Sequence, residues 1–194
     1  NSFAIDLLHE LSPVPVFGLI ESVHKDIYES ETNIGVLATP STVVSGAYKR
    51  HIQYFMPNTY VFEQGCPSLV PLIETGQLSS SELRNAVKGY LDPLLDKTVQ
   101  AIVLGCSHYP LIEPLFKELL PDTVRLIDPA KTLAKKLDDF LGSPKNPPKN
   151  MPGFSDIEFF VTSDVNGFAS RTQHWLGIRP EVQLASLRSS ACVF

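Results

Sequence analysis

Ala101-Ile102-Val103-Leu104-Gly105-Cys106-Ser107-His108-Tyr109-Pro110 is the stretch on which the reading of the fold turns. Four consecutive apolar residues stopped by a glycine read as a strand buried on both faces, the kind found in parallel sheets. Cys106 then falls just past the carboxyl end of that strand, where open α/β sheets bind ligands, and Gly105 allows close backbone approach. A helix expected near Pro110 would turn its N-terminal dipole and free N–H groups toward the loop, favouring a thiolate and an anionic ligand. His108, in the same loop, is placed to exchange a proton with the thiol or with a substrate amine. A buried structural cysteine beside a helix-capping histidine is the plainer reading of a lone thiol. The grouping Gly-Cys-Ser-His at a strand end favours the chemical one.

The same alternation extends outward. Strands are expected at Val14 to Ile20, Ile34 to Ala38, Tyr60 to Phe62, Val124 to Ile127 and Ile157 to Val161. Helical spacing lies between them, at Phe3 to Leu11, Val23 to Ser30, Thr42 to Gln53, Leu69 to Glu74, Ser81 to Leu95, Ile112 to Leu119, Leu133 to Leu141 and Asn166 to Leu176. Strands alternating with helices predict an α/β fold with parallel sheets covered by helices. Helix starts are signalled at Thr39-Pro40, Asp128-Pro129 and Ser163-Asp164. The strand-end rule therefore singles out Thr39, Cys66, Cys106 and Asp128. Gly142 to Gly153 is rich in Pro and Gly and reads as a linker, and residues 178–194 lack periodicity and are expected to be loosely packed.

Bulk composition narrows the function classes. With 43% hydrophobic and 19% charged residues the chain can bury one core or two small ones. A net charge of −5 with dispersed Lys and Arg leaves no basic stripe for nucleic acid. No apolar run approaches the ~18 residues a bilayer span requires, and the first residues lack the basic start of a secretion signal, so a cytoplasmic location is expected and no membrane partner. Three cysteines, Cys66, Cys106 and Cys192, form neither a disulfide framework nor a zinc spacing.

Other residues carry two readings each. Cys66 is either a second thiol in the cleft or, more commonly at a corner before Pro67, a small packing residue. Glu74, ending an apolar helix, is either a partner for a loop histidine or a solvated carboxylate. Thr39 and Thr42 offer hydroxyls and a helix start to a substrate carboxylate, and also look like ordinary capping. His9, His24, His51 and His174 fall on helical segments and are assigned to no site.

Taken together, Cys66-Pro67-Ser68-Leu69-Val70-Pro71-Leu72-Ile73-Glu74 and Leu104-Gly105-Cys106-Ser107-His108-Tyr109-Pro110-Leu111 resemble the signature segments of the cofactor-independent aspartate/glutamate racemase family, the glutamate racemases in particular. Ile34 to Thr39 with Thr42, Ser45, Ala47 and Tyr48, Val14 to Ile20, Thr162-Ser163-Asp164 and Trp175-Leu176-Gly177 are similar to further family segments, in order, over about residues 1–178. The resemblance implies two Rossmann-like parallel-sheet domains with the active site between them: 21–128 as the second domain, 1–20 and 129–177 as parts of an incomplete first one, and 178–194 as a tail. It implies interconversion of L- and D-glutamate without pyridoxal phosphate, metal or other cofactor, and a supply of D-glutamate for peptidoglycan.

In that family two cysteines work on opposite faces of the substrate α-carbon. Cys106 is similar to the second of them, His108 to its assisting histidine, and Glu74 to the carboxylate supporting the histidine. Ser107 stands where a substrate-binding threonine is usual, and Thr39 and Thr42 look like the carboxylate-holding loop. The first cysteine, in an Ala-Cys-Asn-Thr-like segment, would fall about four residues before Asn1, and the family's Asp-Ser and Pro-Tyr segments are likewise absent from these residues. The chain by itself is therefore expected to be inactive or to exchange protons on one side only, with apolar faces exposed in 1–20 and 129–177. Glutamate is the expected partner, and a homodimer is a further expectation. The alternatives are a non-catalytic module binding a small acid or a protein, a racemase acting on aspartate, and a Cys-His hydrolase, for which no third orienting group or oxyanion hole stands out.

Overall fold

Ile34, Val36 and Ala38 turn to one side of a strand and Leu37 to the other, and all four are fully buried. That two-sided burial is what a strand in the middle of a parallel sheet requires. In the computed structural model, which describes residues 3–23, 32–142 and 157–186, this strand is β1 (Asn33–Ala38). It pairs in parallel with β2 (Tyr60–Gly65) on one side and β3 (Ala101–Leu104) on the other, and β3 pairs with β4 (Arg125–Ile127). The order is β2-β1-β3-β4.

Helices cover both faces. After α1 (Ile5–Leu11) come α2 (Pro40–Ser45), α3 (Ala47–Phe55), α4 (Leu69–Glu74), α5 (Ser81–Leu95), α6 (Glu113–Leu119) and α7 (Pro129–Leu141). Tyr48 and Ile52 of α3 join Ile20, Val23, Ile34, Val36 and Ala38 in one buried cluster. A Cβ on Gly35, the residue between Ile34 and Val36, would instead meet Leu94 of α5 at 3.0 Å, so α5 covers the opposite face. Its buried residues, Leu83, Val87, Leu91 and Leu94, recur at helical spacing. Burying each such side chain stabilises the fold by roughly 1.5–3 kcal/mol.

Capping follows the sequence. Thr39 Oγ1 accepts from Thr42 N, Asp128 Oδ1 accepts from Ala130 N, and Asp164 Oδ1 accepts from Gly167 N. The helix expected over Thr42 to Gln53 is interrupted, because Gly46 adopts φ +60°, a left-handed conformation that ends α2 and begins α3. Val14 to Ile20 is not a strand. Pro15 has no N–H to give a ladder, Ser12 Oγ bonds Val14 O at 2.8 Å in a local turn, and the segment closes in a 3-10 turn at Ile20–Ser22. The helix expected over Val23 to Ser30 lies outside the described residues apart from Val23, which is extended.

By its internal packing the chain divides into units Asn1–Gly142 and Ser143–Phe194. The second holds β5 (Phe159–Val161), α8 (Val165–Leu176) and β6 (Val182–Leu184), the two strands pairing in parallel. β6 falls where sequence periodicity gave no element. In the first unit α1 buries none of its residues, and Phe3, Leu11 and Val14 are more than 60% exposed, as is Leu141 at the end of α7. No described helix is long and apolar enough to cross a membrane.

Candidate active site

The register makes the strands end level. Ala38 lies opposite Gly65, and Leu37 opposite Leu104, so Thr39, Cys66 and Cys106 leave the sheet along one edge. Their surroundings then diverge. The chain leaves β1 toward the α3 face and returns from β2 through α5 on the other, so the order reverses between β1 and β3. Such a switch point opens a crevice at the carboxyl ends of the two strands. Thr39 and Cys106 flank it.

Gly105 brings the thiol in. Its N–H donates to Leu37 O at 2.7 Å, and a Cβ there would lie 2.8 Å from that oxygen and 3.0 Å from both Ala38 Cβ and Tyr48 Cε2. Only glycine fits this approach. Beyond it a tight turn closes by Tyr109 N donating to Cys106 O at 3.1 Å, and a 3-10 turn, Tyr109–Ile112, leads into α6. The α-helix expected to begin near Pro110 thus begins at Glu113.

Cys106 Sγ lies 3.9 Å from His108 Nδ1, and His108 Nε2 lies 3.1 Å from Glu74 Oε1. Glu74 reaches the histidine from the end of α4, the helix that follows β2. A Nε2–H donated to the carboxylate leaves Nδ1 as a bare acceptor facing the sulfur. Burial pushes the Cys106 thiol above its ordinary range, while the backbone N–H groups of His108 and Tyr109 pull it down by less. The expected resting thiolate is therefore not found: the group rests as a thiol, because the short turn supplies too little field to offset desolvation.

Thr39, Thr42, Tyr48, Gly105, Cys106 and Ser107 line a cavity of about 190 Å³, with Leu19 and Ile20 closing one side. Thr39 Oγ1 and Thr42 Oγ1 are 3.0 Å apart and share a hydrogen bond. A larger cavity of about 590 Å³ is lined by α1 and α3 residues, among them His9, Arg50 and His51, but contains no thiol, and its His9 is engaged with Glu21 at 2.9 Å. The smaller one holds the thiol and the hydroxyls of Thr39, Thr42 and Ser107.

Each sequence candidate now has a place. Cys106, His108 and Glu74 form one chain of contacts, while Thr39, Thr42 and Ser107 share the cavity with the thiol. Cys66 is 1% exposed, donates to Gln64 O at 3.4 Å, and its thiol is pushed up to about 12 by burial, so it packs rather than reacts. Asp128 caps α7. Cys192 lies outside the described residues. Among the described residues no group of three or more His, Cys, Asp or Glu could hold a metal ion. Tyr48 entered the sequence reading only as one residue of a resembling segment. Spaced four residues from Ile52 on the buried face of α3, it carries the signature of a core residue.

A thiol, an imidazole and a carboxylate in line at the switch point of a doubly wound sheet are equipped to move a proton to and from a small molecule in the crevice. The model of the Asp/Glu/hydantoin racemase family matches residues 1–137, and the chain belongs to that family. Among its relatives, the glutamate racemase of Prochlorococcus marinus strain NATL2A is 44% identical over 193 residues, covering 100% of this chain and 72% of the relative. That of Synechococcus sp. strain CC9605 is 45% identical over 96% of this chain and 71% of its own length. Two solved structures agree. The glutamate racemase isoform RacE1 of Bacillus anthracis superposes with a TM-score of 0.82 at 26% identity, over 96% of this chain and 70% of that one. The Francisella tularensis glutamate racemase, solved in complex with D-glutamate, gives 0.79 at 31% identity over 97% and 70%.

Proposed function

We propose that Cys106 is one of the two acid/base groups of a glutamate racemase, working on one face of the substrate α-carbon. The observation that carries this is the line Cys106 Sγ, His108 Nδ1, His108 Nε2, Glu74 Oε1, with separations of 3.9 and 3.1 Å. As an acid, Cys106 gives its S–H proton to the α-carbanion and becomes a thiolate. As a base, it first passes that proton to Nδ1, the imidazolium being held by Glu74, and then takes the α-proton as thiolate. Ser107, Thr39 and Thr42 offer hydroxyls to the substrate carboxylates, and no step requires a cofactor or metal. D-Glutamate made in this way in the cytoplasm would feed peptidoglycan synthesis.

The domain division belongs to the same reading. Residues 21–128 form the domain that carries Cys106, with 1–20 and 129–177 assigned to the other. Ser22 Oγ, whose one hydrogen lies between Leu19 O at 2.6 Å and Pro129 O at 2.8 Å, supports a junction where the two segments meet the 21–128 core. A homodimer is part of the proposal only as a consequence of the exposed apolar side chains on α1 and α7.

Racemisation needs an acid and a base on opposite faces, and among the described residues the cavity holds one thiol. This chain alone is expected to exchange the α-proton of one glutamate enantiomer for solvent deuterium while producing little of the other. The check is incubation with each enantiomer in heavy water, following deuterium by mass spectrometry and chirality by derivatised chromatography. Cys106→Ala should lower exchange by at least about a thousandfold. Exchange that survives this substitution removes Cys106 from the mechanism, and full-rate racemisation refutes the one-base assignment.

A further inference from the structure

Tyr48 brings to this cavity a buried polar atom with no hydrogen-bond partner among the described residues. Its side chain is 1% exposed, a ring carbon, Cε2, would lie 3.0 Å from a Cβ on Gly105, and the residue is one of those lining the cavity with Thr39, Thr42, Cys106 and Ser107. The hydroxyl is buried and makes no hydrogen bond to any described residue. A buried hydroxyl left unpaired costs roughly 1–3 kcal/mol, and a phenylalanine would fill the same volume without that cost. Packing alone therefore does not account for the oxygen.

The chemistry of the cavity says what the oxygen is for. Thr39 Oγ1 already accepts from Thr42 N and shares hydrogen bonds with Ser41 Oγ at 3.2 Å and Thr42 Oγ1 at 3.0 Å. The Tyr48 hydrogen is uncommitted. Burial first, then the proximity of Cys106 and Asp128, raise the phenol far above its ordinary value of 10.0, so it is always a donor and never a base. A fixed donor in a small, partly closed cavity beside three hydroxyls calls for an anionic oxygen. We propose that the Tyr48 hydroxyl is a substrate-binding group that donates a hydrogen bond to a carboxylate oxygen of the amino acid held beside Cys106. The inference rests on the reading of this cavity as the glutamate site and adds to it a recognition residue contributed by the helix α3.

The test is protection of Cys106 from iodoacetamide by D- and L-glutamate, read by mass spectrometry on the Cys106 peptide, with melting temperatures taken without ligand. Wild type, Tyr48→Phe and Tyr109→Phe are compared, Tyr109 being a second buried tyrosine whose hydroxyl neighbours Cys66 and which is not among the residues lining the cavity. Tyr48→Phe should need about tenfold more glutamate for half-protection, the loss expected for a hydrogen bond to a charged group. It should also melt at the same or a higher temperature than wild type, and its Cys106 should alkylate with an unchanged pH profile in the absence of glutamate. Tyr109→Phe should be protected like wild type. Equal protection of Tyr48→Phe and wild type overturns the inference and leaves the glutamate reading standing. A lower unliganded melting temperature in Tyr48→Phe also overturns it, since the hydroxyl would then be a packing contact, as does a shifted alkylation profile, which would assign the donor to the sulfur. A wild-type protein that glutamate does not protect overturns the glutamate reading and this assignment with it.

Discussion

Cys66 and Cys106 stand at the same level of one sheet, each directly after a parallel strand and each in a loop that bends into a turn. Cys66 is sealed and Cys106 opens on a cavity. The difference lies in the neighbouring strands. Cys66 follows β2, an edge strand, and α4 begins three residues later, whereas Cys106 follows β3, next to the point where the strand order reverses. The same amino acid becomes core in one place and cavity lining in the other. Even their shared protonation has different consequences: both thiols are raised by burial, but only Cys106 has an imidazole within reach to receive the proton.

The sharpest way to break the comparison is to remove each sulfur. Cys106→Ala should abolish α-proton exchange, at least about a thousandfold, with little change in melting temperature. Cys66→Ala should retain exchange and lose about 1–2 kcal/mol of stability in urea titration, the cost of a small buried cavity. If the two effects came out reversed, the sheet position of each thiol would not be what separates them.

Glu74→Gln comes next. The amide keeps the size of the carboxylate but can present its NH2 to His108 Nε2, which favours the tautomer with a proton on Nδ1 and removes the acceptor facing Cys106. Exchange should fall roughly a hundredfold with glutamate protection of Cys106 unchanged, because the residue touches the histidine and not the cavity. A variant that also bound glutamate more weakly would place Glu74 against the ligand.

How much of this was legible beforehand depended on the range of the interactions involved. β1, β3, the cap residues Thr39, Asp128 and Asp164, and the pairing of a thiol with His108 are local, and short runs of sequence carry them. Glu74 stood in the sequence with two open readings, a partner for a loop histidine or a solvated carboxylate, and only the resemblance favoured the first, since a pairing 34 positions away leaves no local spacing signal. Three features stayed hidden. The break at Gly46 was masked by apolar spacing that continues across it, Val14 to Ile20 had the composition of a strand without a partner to pair with, and β6 became a strand only by pairing with β5 through tertiary contact. Tyr48 is the most instructive case, because a buried position on α3 looks the same in sequence whether its hydroxyl meets wall or cavity.

Gly105 sharpens the comparison from the backbone side. Gly105→Ala places a methyl 2.8 Å from Leu37 O, and neither β1 nor the Tyr48 ring can move without disturbing the core. The expected cost is about 1–3 kcal/mol, with Cys106 displaced from His108. Gly65 holds the corresponding position before Cys66, and there the nearest atom to an added Cβ is Pro40 Cα at 3.6 Å, an ordinary contact. Gly65→Ala should therefore be tolerated, and paired urea titrations of the two variants measure how much tighter the active loop is than the packing one.

The smallest effect concerns protonation. The Cys66 thiol lies near 9.0 in the unfolded chain and is pushed up to about 12 in the fold, so between these values the unfolded state releases a proton that the native state keeps. Fewer protons on the unfolded side means that stability falls as pH rises through this window and is fully present below it. Wild type should lose stability between pH 9 and 10, before ordinary tyrosines titrate, and Cys66→Ala should lose less over the same step. Cys106 is raised as well and contributes in the same sense, so the double variant with Cys106→Ala should be flatter still. Urea midpoints at pH 8, 9 and 10 for the three proteins decide it. A wild-type slope no steeper than that of the double variant would mean that the two thiols are not desolvated as the fold requires.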